Sequence, residues 1–137
     1  MDDFVAHINA DGVNGQKVCF HKLTDHLKGT ASLSAEFAES FGCRNWGYAA
    51  GLIHDIGKFS DAFQEYIRAV ALEKSDNPKY FRGSVDHTSA GAIFAANNKL
   101  QIIDYISAGH HSGLQDCEDK MARLAKKDCL IPSKSAR

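Results

Sequence analysis

The sequence has few prolines, no closely spaced cysteines and no long apolar run. It contains 137 residues with two prolines and four cysteines. The cysteines, Cys19, Cys43, Cys117 and Cys129, are far apart and form no C-x-x-C pair, which argues against a zinc ribbon and a disulfide framework. We therefore expect reduced, buried thiols.

Signals for membranes and for several enzyme classes are also absent. No segment approaches the roughly 18 apolar residues that span a bilayer. The N-terminus, MDDFVAHINADG, begins acidic and lacks the apolar core of a secretory signal. These features predict a cytoplasmic protein with no membrane contact. The missing G-x-x-x-x-G-K-[ST], G-x-S-x-G and G-x-G-x-x-G motifs exclude an ATPase, a serine-hydrolase elbow and a dinucleotide site.

The formal net charge is only −1, whereas a protein that binds nucleic acid by itself is usually basic. Contact with DNA would then need a local basic segment, bound cations or a partner. Between Lys120 and Arg137, six basic residues stand against Asp128 alone, a local charge of +5. This segment either follows a phosphate backbone or forms a solvated helix face and tail.

The hydrophobic pattern predicts a single all-α domain over residues 1–137, with a short N-terminal β-ribbon. The segments FVAHI and VNGQKVCF flank Asn14-Gly15, a hairpin turn signal, and the pattern is helical from Leu23 onward. The segment SDNPKYFRGS reads as a loop. Helices are predicted at Thr30–Phe41, Asn45–Ile56, after an N-cap at Ser60, Asp86–Ala96, Leu100–Ala108 and Asp116–Lys127. Two of them have apolar side chains at helical spacing: the first at Leu33, Phe37, Ala38 and Phe41, and the helix after Ser60 at Phe63, Tyr66, Ile67 and Val70. The helix from Asn45 is apolar nearly all round and is expected to be central.

Metal-ligating side chains gather at the ends of these predicted helices. A His-Asp pair ends the central helix and is followed by Ile-Gly-Lys, and a His-His pair ends another apolar helix. Two further histidines lie near helix starts. We expect these side chains to converge on one cavity: His26, His54, Asp55, His87, His110 and His111. His7 and His21 lack such context and are interpreted as structural or exposed.

This residue set suits a hydrolytic metal centre. Adjacent helical residues point about 100° apart, so His54 and Asp55 can reach different ions, and a carboxylate can bridge two. Imidazole with carboxylate suits Mn, Fe, Co, Ni or Zn, and two ions about 3.5–4 Å apart can activate water and clamp a phosphodiester. We therefore predict one or two divalent transition metals, with Asp55 as a catalytic residue. Lys58 is predicted to neutralise a phosphate oxygen, the alternative being a solvated lysine.

Four segments resemble the HD nuclease domain of the type I CRISPR-associated helicase–nuclease, within the HD phosphohydrolase superfamily: LTDHLKGTASLSAEFA, AAGLIHDIGKFSDAFQEYI, VDHTSAGA and ISAGHHSGL. The resemblance implies an HD-domain helical bundle and a two-metal site that cuts single-stranded DNA. It also implies an RNA-guided surveillance complex as partner and a helicase domain in the full-length family. It assigns the first metal to His26, His54 and Asp55, the second to Asp55, His87, His110 and His111, and Lys58 to the scissile phosphate.

The sequence departs from this family in one ligand. The family has a further aspartate well after the His-His pair, and here the later aspartates are Asp116, Asp119 and Asp128, none in matching context. We expect the first metal to bind more weakly than the second. We also expect the chain to lack the C-terminal helices and the helicase of the full-length family, either as a fragment or as a naturally short relative.

Three functions stay open from the sequence. The first is a metal-dependent nuclease that cleaves single-stranded DNA. The second is a catalytically incomplete mimic that binds the surveillance complex and blocks nuclease recruitment. The third is an HD phosphohydrolase that acts on nucleotides.

Overall fold

The chain is mostly helical and begins with a two-stranded sheet, which confirms the predicted all-α class with a short N-terminal ribbon. The structure is a computed structural model that describes residues 4–11, 17–71, 85–114, 116–120 and 124. The antiparallel strands are β1 (Val5–Asp11) and β2 (Lys17–Lys22). The helices are α1 (Leu23–Glu39), α2 (Arg44–Ile53), a 3₁₀ helix (Ile56–Phe59), α3 (Asp61–Ala71), α4 (Thr88–Asn97) and α5 (Gln101–Gly109). Residues 117–120 are also helical.

Some predicted features lie outside the described residues. These are the Asn14-Gly15 turn, the loop over residues 75–84 and half of the helix predicted at Asp116–Lys127. The bounds of the other predicted helices agree with the structure to within a few residues, except that α1 begins earlier, at Leu23, where the helical pattern starts.

The hairpin contains an irregularity close to its start. Val5 pairs with Lys22 and His7 pairs with His21, so Ala6 is an extra residue on β1. Val5 and Ala6 are both buried, although consecutive strand residues normally face opposite sides. A bulge of this kind bends the strand and changes the direction of the side chains that follow it.

Helix α1 packs against α2 through small residues. Its buried face is formed by Leu23, Leu27, Ala31, Ala35 and Ala38. A Cβ at Gly51 of α2 would lie 2.5 Å from the Cα of Ala31, so the two backbones are in near contact.

The apolar spacing from Thr30 to Phe41 predicted a buried face of α1 formed by Leu33, Phe37, Ala38 and Phe41, and of these four only Ala38 is buried. Leu33, Phe37 and Phe41 are 51%, 68% and 70% exposed. The close approach of α2 has room only for alanine and glycine at the contact, so the larger side chains lie on the outside.

Helix α2 contacts α1, α4 and α5. It is nevertheless not buried all round, as its composition had indicated, because Trp46 and Tyr48 are 44% and 43% exposed. Its buried residues are Ala50 and Gly51, which lie one turn before the His-Asp pair. The buried part of α2 is thus the end that leads into the candidate site.

Helix α3 joins the hairpin to the helices. Its residues Phe63 and Ile67 are buried in a cluster with Val5, as the predicted apolar face requires, whereas Val70 is 47% exposed. The hydroxyl of Ser60 accepts a hydrogen bond from the Phe63 backbone N–H at 3.3 Å, which confirms the predicted N-cap.

The expected burial of the thiols is wrong for the described cysteines. Cys19 and Cys117 are exposed and Cys43 is partly buried, while Cys129 lies outside the described residues. Cys19 is on the two-stranded ribbon, which has no layer packed over that position. Among the helices that the structure describes, none has the length and apolarity to cross a membrane.

Candidate metal centre

Asp55 lies where the chain leaves α2 and enters the 3₁₀ helix. The last α-helical bond is donated by the His54 N–H to Ala50 O at 3.0 Å, and Asp55 has φ −117° and ψ 19°. The change of direction turns the Asp55 carboxylate inward, where it is 3% exposed. The His-Asp pair therefore lies at the end of α2, as predicted.

One carboxylate oxygen of Asp55, Oδ2, faces three nitrogen atoms. His26 Nε2, from α1, lies at 3.1 Å, and His54 Nε2 at 3.2 Å. Lys58 Nζ, from the 3₁₀ helix, lies at 2.8 Å. The two imidazoles also approach each other, with 3.2 Å between their Nε2 atoms. We call this group the Oδ2 half.

The other oxygen, Oδ1, faces three more imidazoles. His110 Nε2 lies at 3.3 Å, His111 Nε2 at 3.8 Å and His87 Nε2 at 4.0 Å. His87 and His111 are 3.3 Å apart at their Nε2 atoms. His87 precedes α4 and the His-His pair follows α5, so this group, the Oδ1 half, is built from two further elements. The structure thus brings the five predicted histidine ligands around the carboxylate of the sixth predicted ligand, Asp55.

Two glycines allow these elements to meet. A Cβ at Gly57, the glycine of the His-Asp-Ile-Gly-Lys segment, would overlap the carbonyl oxygen of His87. A Cβ at Gly91 of α4 would lie 2.5 Å from the carbonyl oxygen of Ile53. The start of α4 can therefore rest directly on the end of α2 and on the 3₁₀ helix. This contact places His87 beside Asp55.

Backbone carbonyls fix the orientation of the histidine rings. His54 Nδ1 donates to Gly51 O at 2.8 Å, and His110 Nδ1 donates to Ser107 O at 2.6 Å. In a neutral ring, Nε2 then carries a lone pair, which here faces an oxygen of Asp55. Two acceptors at this distance repel unless a proton or a cation lies between them. A metal-binding histidine whose other nitrogen donates to a carbonyl is the usual arrangement, so the donor set fits divalent transition metals.

The electrostatic surroundings keep Asp55 ionised. Burial disfavours its charge, but hydrogen bonds from His110, His54 and Lys58 outweigh burial and lower the pKa of Asp55 below its ordinary value. Burial also acts to lower the pKa of His54, but the hydrogen bond and charge of Asp55 raise it overall. Either a proton on Nε2 of His54 or a metal ion would remove the repulsion between this nitrogen and the Asp55 carboxylate.

The remaining perturbed histidines are shifted the opposite way. Burial is the main cause that lowers the pKa of His26, His87 and His111 below the ordinary value, against the attraction of Asp55. These rings are therefore neutral near pH 7, which is the form that binds metal.

Lys58 is buried, which is unusual for a lysine. Besides its contact with Asp55, its Nζ donates to Ala6 O of β1 at 3.3 Å. The ammonium group therefore links the carboxylate to the hairpin. Its phosphate contact stays a prediction.

The structure adds a histidine that the sequence interpretation had left aside. One ligand atom each of His7, His26 and Asp55 lie within 4.8 Å of one another, as do those of Asp55, His110 and His111. The rings of His7 and His26 meet edge to face, with centroids 4.6 Å apart. The sequence around His7 contains no motif that predicts this position. The direction of the His7 side chain depends instead on the bulge in β1.

The later aspartates do not join the site in the described part of the chain. Asp116 and Asp119 are exposed and belong to neither group of candidate ligands. Asp128 lies outside the described residues.

A family model described as "Cas3, HD domain" matches residues 9–134. The chain belongs to the Cas3 HD-domain family. Membership confirms the resemblance inferred from the four sequence segments, and the family is one of metal-dependent nucleases of CRISPR systems. No curated protein matches the sequence. The match to the Cas3 HD domain includes all six predicted ligands, but His7 precedes its first residue.

Proposed function

We propose that this Cas3 HD domain hydrolyses phosphodiester bonds of single-stranded DNA at a two-metal centre, as part of type I CRISPR interference. The observation that carries the proposal is the division of the Asp55 carboxylate, whose two oxygens each face a separate group of imidazoles. A single carboxylate with donors on both sides is the arrangement that a bridged pair of ions requires.

The residues of the chain have distinct parts in this proposal. When bound, divalent ions supply charge neutralisation at the phosphodiester and Lewis-acid activation of water. Asp55 would contribute to the binding of both ions, His26 and His54 would hold one of them, and the histidines of the Oδ1 half would hold the other. The buried Lys58 supports a positioning role, since it fixes Asp55 against β1.

The Oδ1 half is open on one side, which supports a polymer substrate. The side chain of His111 is 50% exposed, whereas that of His54 is 14% exposed. A strand of DNA can lie across such a surface, while hydrolysis of a mononucleotide calls for a pocket that surrounds it. The geometry therefore favours the nuclease over the nucleotide phosphohydrolase.

The basic C-terminal segment supports DNA binding less than its charge indicated. Lys120 is 7% exposed, and its Nζ donates to Asp104 at 2.5 Å. This lysine is therefore unavailable to phosphates. The other basic residues of the segment lie outside the described residues.

The direct test is cleavage of a labelled single-stranded DNA by the 137-residue chain with Mn²⁺, Co²⁺ or Ni²⁺. Asp55→Asn and His54→Ala are each expected to lower the rate at least about 100-fold, because even supporting residues of metal sites cost about 10- to 100-fold. His21→Ala is the matched control, since His21 is an exposed histidine outside both ligand groups. Wild-type protein that cleaves with none of these ions would refute the proposal.

A second function, the non-catalytic mimic, is supported by an exposed apolar surface. Phe41, Trp46, Ile102 and Ile106 line a cavity of about 320 Å³ between α1, α2 and α5. Exposed apolar patches of this kind are typical of protein interfaces. Binding of the chain to a purified type I surveillance complex, without metal-dependent cleavage, would favour the mimic over the nuclease.

A further inference from the structure

The Oδ2 half contains one more imidazole than the family motif accounts for. We propose that His7 is a ligand of the ion in the Oδ2 half, beside His26, His54 and Asp55. This inference rests on the metal centre of the proposed function and adds a residue to it.

The first support is distance. The ligand atoms of His7, His26 and Asp55 lie within 4.8 Å of one another. Two ligands of one ion, each bonded at about 2.1 Å, are at most about 4.2 Å apart. His7 is exposed, so its ring has space on the solvent side to adjust toward an ion.

The second support is that the backbone beside His7 is held to the site. The buried side chain of Gln64 brackets Val5: its Oε1 accepts from Val5 N–H at 2.9 Å and its Nε2 donates to Val5 O at 3.0 Å. The same Nε2 donates to Lys58 O at 2.8 Å. The carbonyl of Ala6 accepts from the Lys58 ammonium group. The two residues that precede His7 are therefore tied to the 3₁₀ helix that carries the site.

The third support is the bulge. Ala6 is the unpaired residue on β1, and His7 is the first residue after it. Bulges beside active sites commonly change the direction of a functional side chain. Here the change places the His7 ring against His26, edge to face. Without the extra residue, each later side chain of β1 would point to the opposite side.

His21 provides a matched control. It pairs with His7 across the hairpin, and its ring lies 6.3 Å from that of His7 and 5.9 Å from that of His26. It is exposed like His7 but belongs to neither ligand group. Replacement of His21 thus removes a hairpin histidine without removing a ligand.

The test is the binding of Co²⁺ to the full chain, measured by calorimetry and by the visible absorption of the bound ion. We expect two ions per wild-type chain. In His7→Ala, one of the two ions should bind at least about 10-fold more weakly, because even the loss of a residue that only supports a metal ligand has an effect of this size. The absorption spectrum of the bound Co²⁺ should also change. His21→Ala should match the wild type. His7→Glu should recover part of the affinity, because a carboxylate oxygen is also a ligand, whereas a purely structural role of His7 would give no such recovery.

The outcomes separate this inference from the function on which it rests. If His7→Ala binds both ions with wild-type affinity and spectrum while the wild type cleaves DNA, His7 is not a ligand and the proposed function stands. If the wild type binds no Co²⁺, both proposals fail. Circular dichroism in EDTA checks that each variant is folded. If His7→Ala does not fold, His7→Glu decides: a Co²⁺ spectrum identical to that of the wild type would refute the inference, because exchange of an imidazole ligand for a carboxylate must change it.

Discussion

At the scale of single residues, the convergence of the candidate ligands on Asp55 was the most predictable feature of the molecule. His54-Asp55 and His110-His111 were predicted at helix ends from the surrounding motifs, and the structure brings them together. The position of His7 beside His26 was not predicted, because a strand residue can face either side and the bulge that decides its side has no signal in the sequence. The burial of Lys58 was also missed, because its partner Ala6 is 52 positions away.

Lys58 gives a prediction at this scale. Lys58→Met leaves the buried Asp55 without its ammonium partner, and loss of one member of a buried pair costs about 3–5 kcal/mol of the free energy of unfolding. Added Mn²⁺ should raise the free energy of unfolding of this variant more than that of the wild type, because the ion neutralises the same carboxylate as the lost ammonium group. Thermal unfolding with and without Mn²⁺ measures both effects.

The matched control for that experiment is Lys28→Met, an exposed lysine of α1, for which a change within about 0.5 kcal/mol is expected. Equal stability of Lys58→Met and Lys28→Met would show that the Lys58–Asp55 contact does not stabilise the fold.

At the scale of helices, the sequence predicted where the elements lie better than which sides they bury. The apolar spacing of α1 pointed to Leu33 and Phe37, yet the helix buries its alanines instead. The choice depends on how closely α2 approaches through Gly51, and that distance is a tertiary property. The Ser60 cap, by contrast, is local and was predicted correctly.

The contact between the 3₁₀ helix and α4 gives a second prediction. In Gly57→Ala, the new methyl group overlaps the His87 backbone, so α4 must shift and His87 moves away from Asp55. We expect at least about 1–3 kcal/mol of destabilisation, the usual cost of overpacking, together with weaker binding of one metal ion. Urea unfolding and calorimetry with Co²⁺ measure the two effects.

Gly29→Ala is the control for this substitution, because a Cβ at Gly29 of α1 meets no atom within 4 Å. Alanine there should stabilise the helix by about 0.5–1 kcal/mol. If the two variants behave alike, the close approach at Gly57 does not determine the position of α4.

At the scale of the whole molecule, distant parts of the chain are joined by buried polar contacts. Gln64 and Lys58 hold the N-terminal hairpin, and Lys120 holds the later segment to α5 through Asp104. Lys120 Nζ also lies 4.3 Å from the centre of the Tyr105 ring. No periodic pattern in the sequence marks such long-range pairs. The overall arrangement could therefore be predicted from the family resemblance but not from the hydrophobic pattern.

The Asp104–Lys120 pair gives a third prediction. Asp104→Ala leaves a buried ammonium group unpaired and should cost about 3–5 kcal/mol, while the double variant Asp104→Leu with Lys120→Met should recover most of that loss. Removal of the exposed pair of Glu39 and Arg44, which lie 3.1 Å apart, should cost at most about 1 kcal/mol. Urea unfolding compares the variants, and equal losses for Asp104→Ala and Glu39→Ala would contradict the structural role of the buried pair.

The central claim is that Asp55 bridges two metal ions, and metal content tests it most directly. Equilibrium dialysis against Mn²⁺ with elemental analysis should find two ions per wild-type chain, and one each in His26→Ala and His111→Ala. Asp55→Asn, which preserves the shape of the side chain, should lose affinity for both ions together. Retention of one ion at wild-type affinity in Asp55→Asn, or the absence of bound metal in the wild type, would contradict the account.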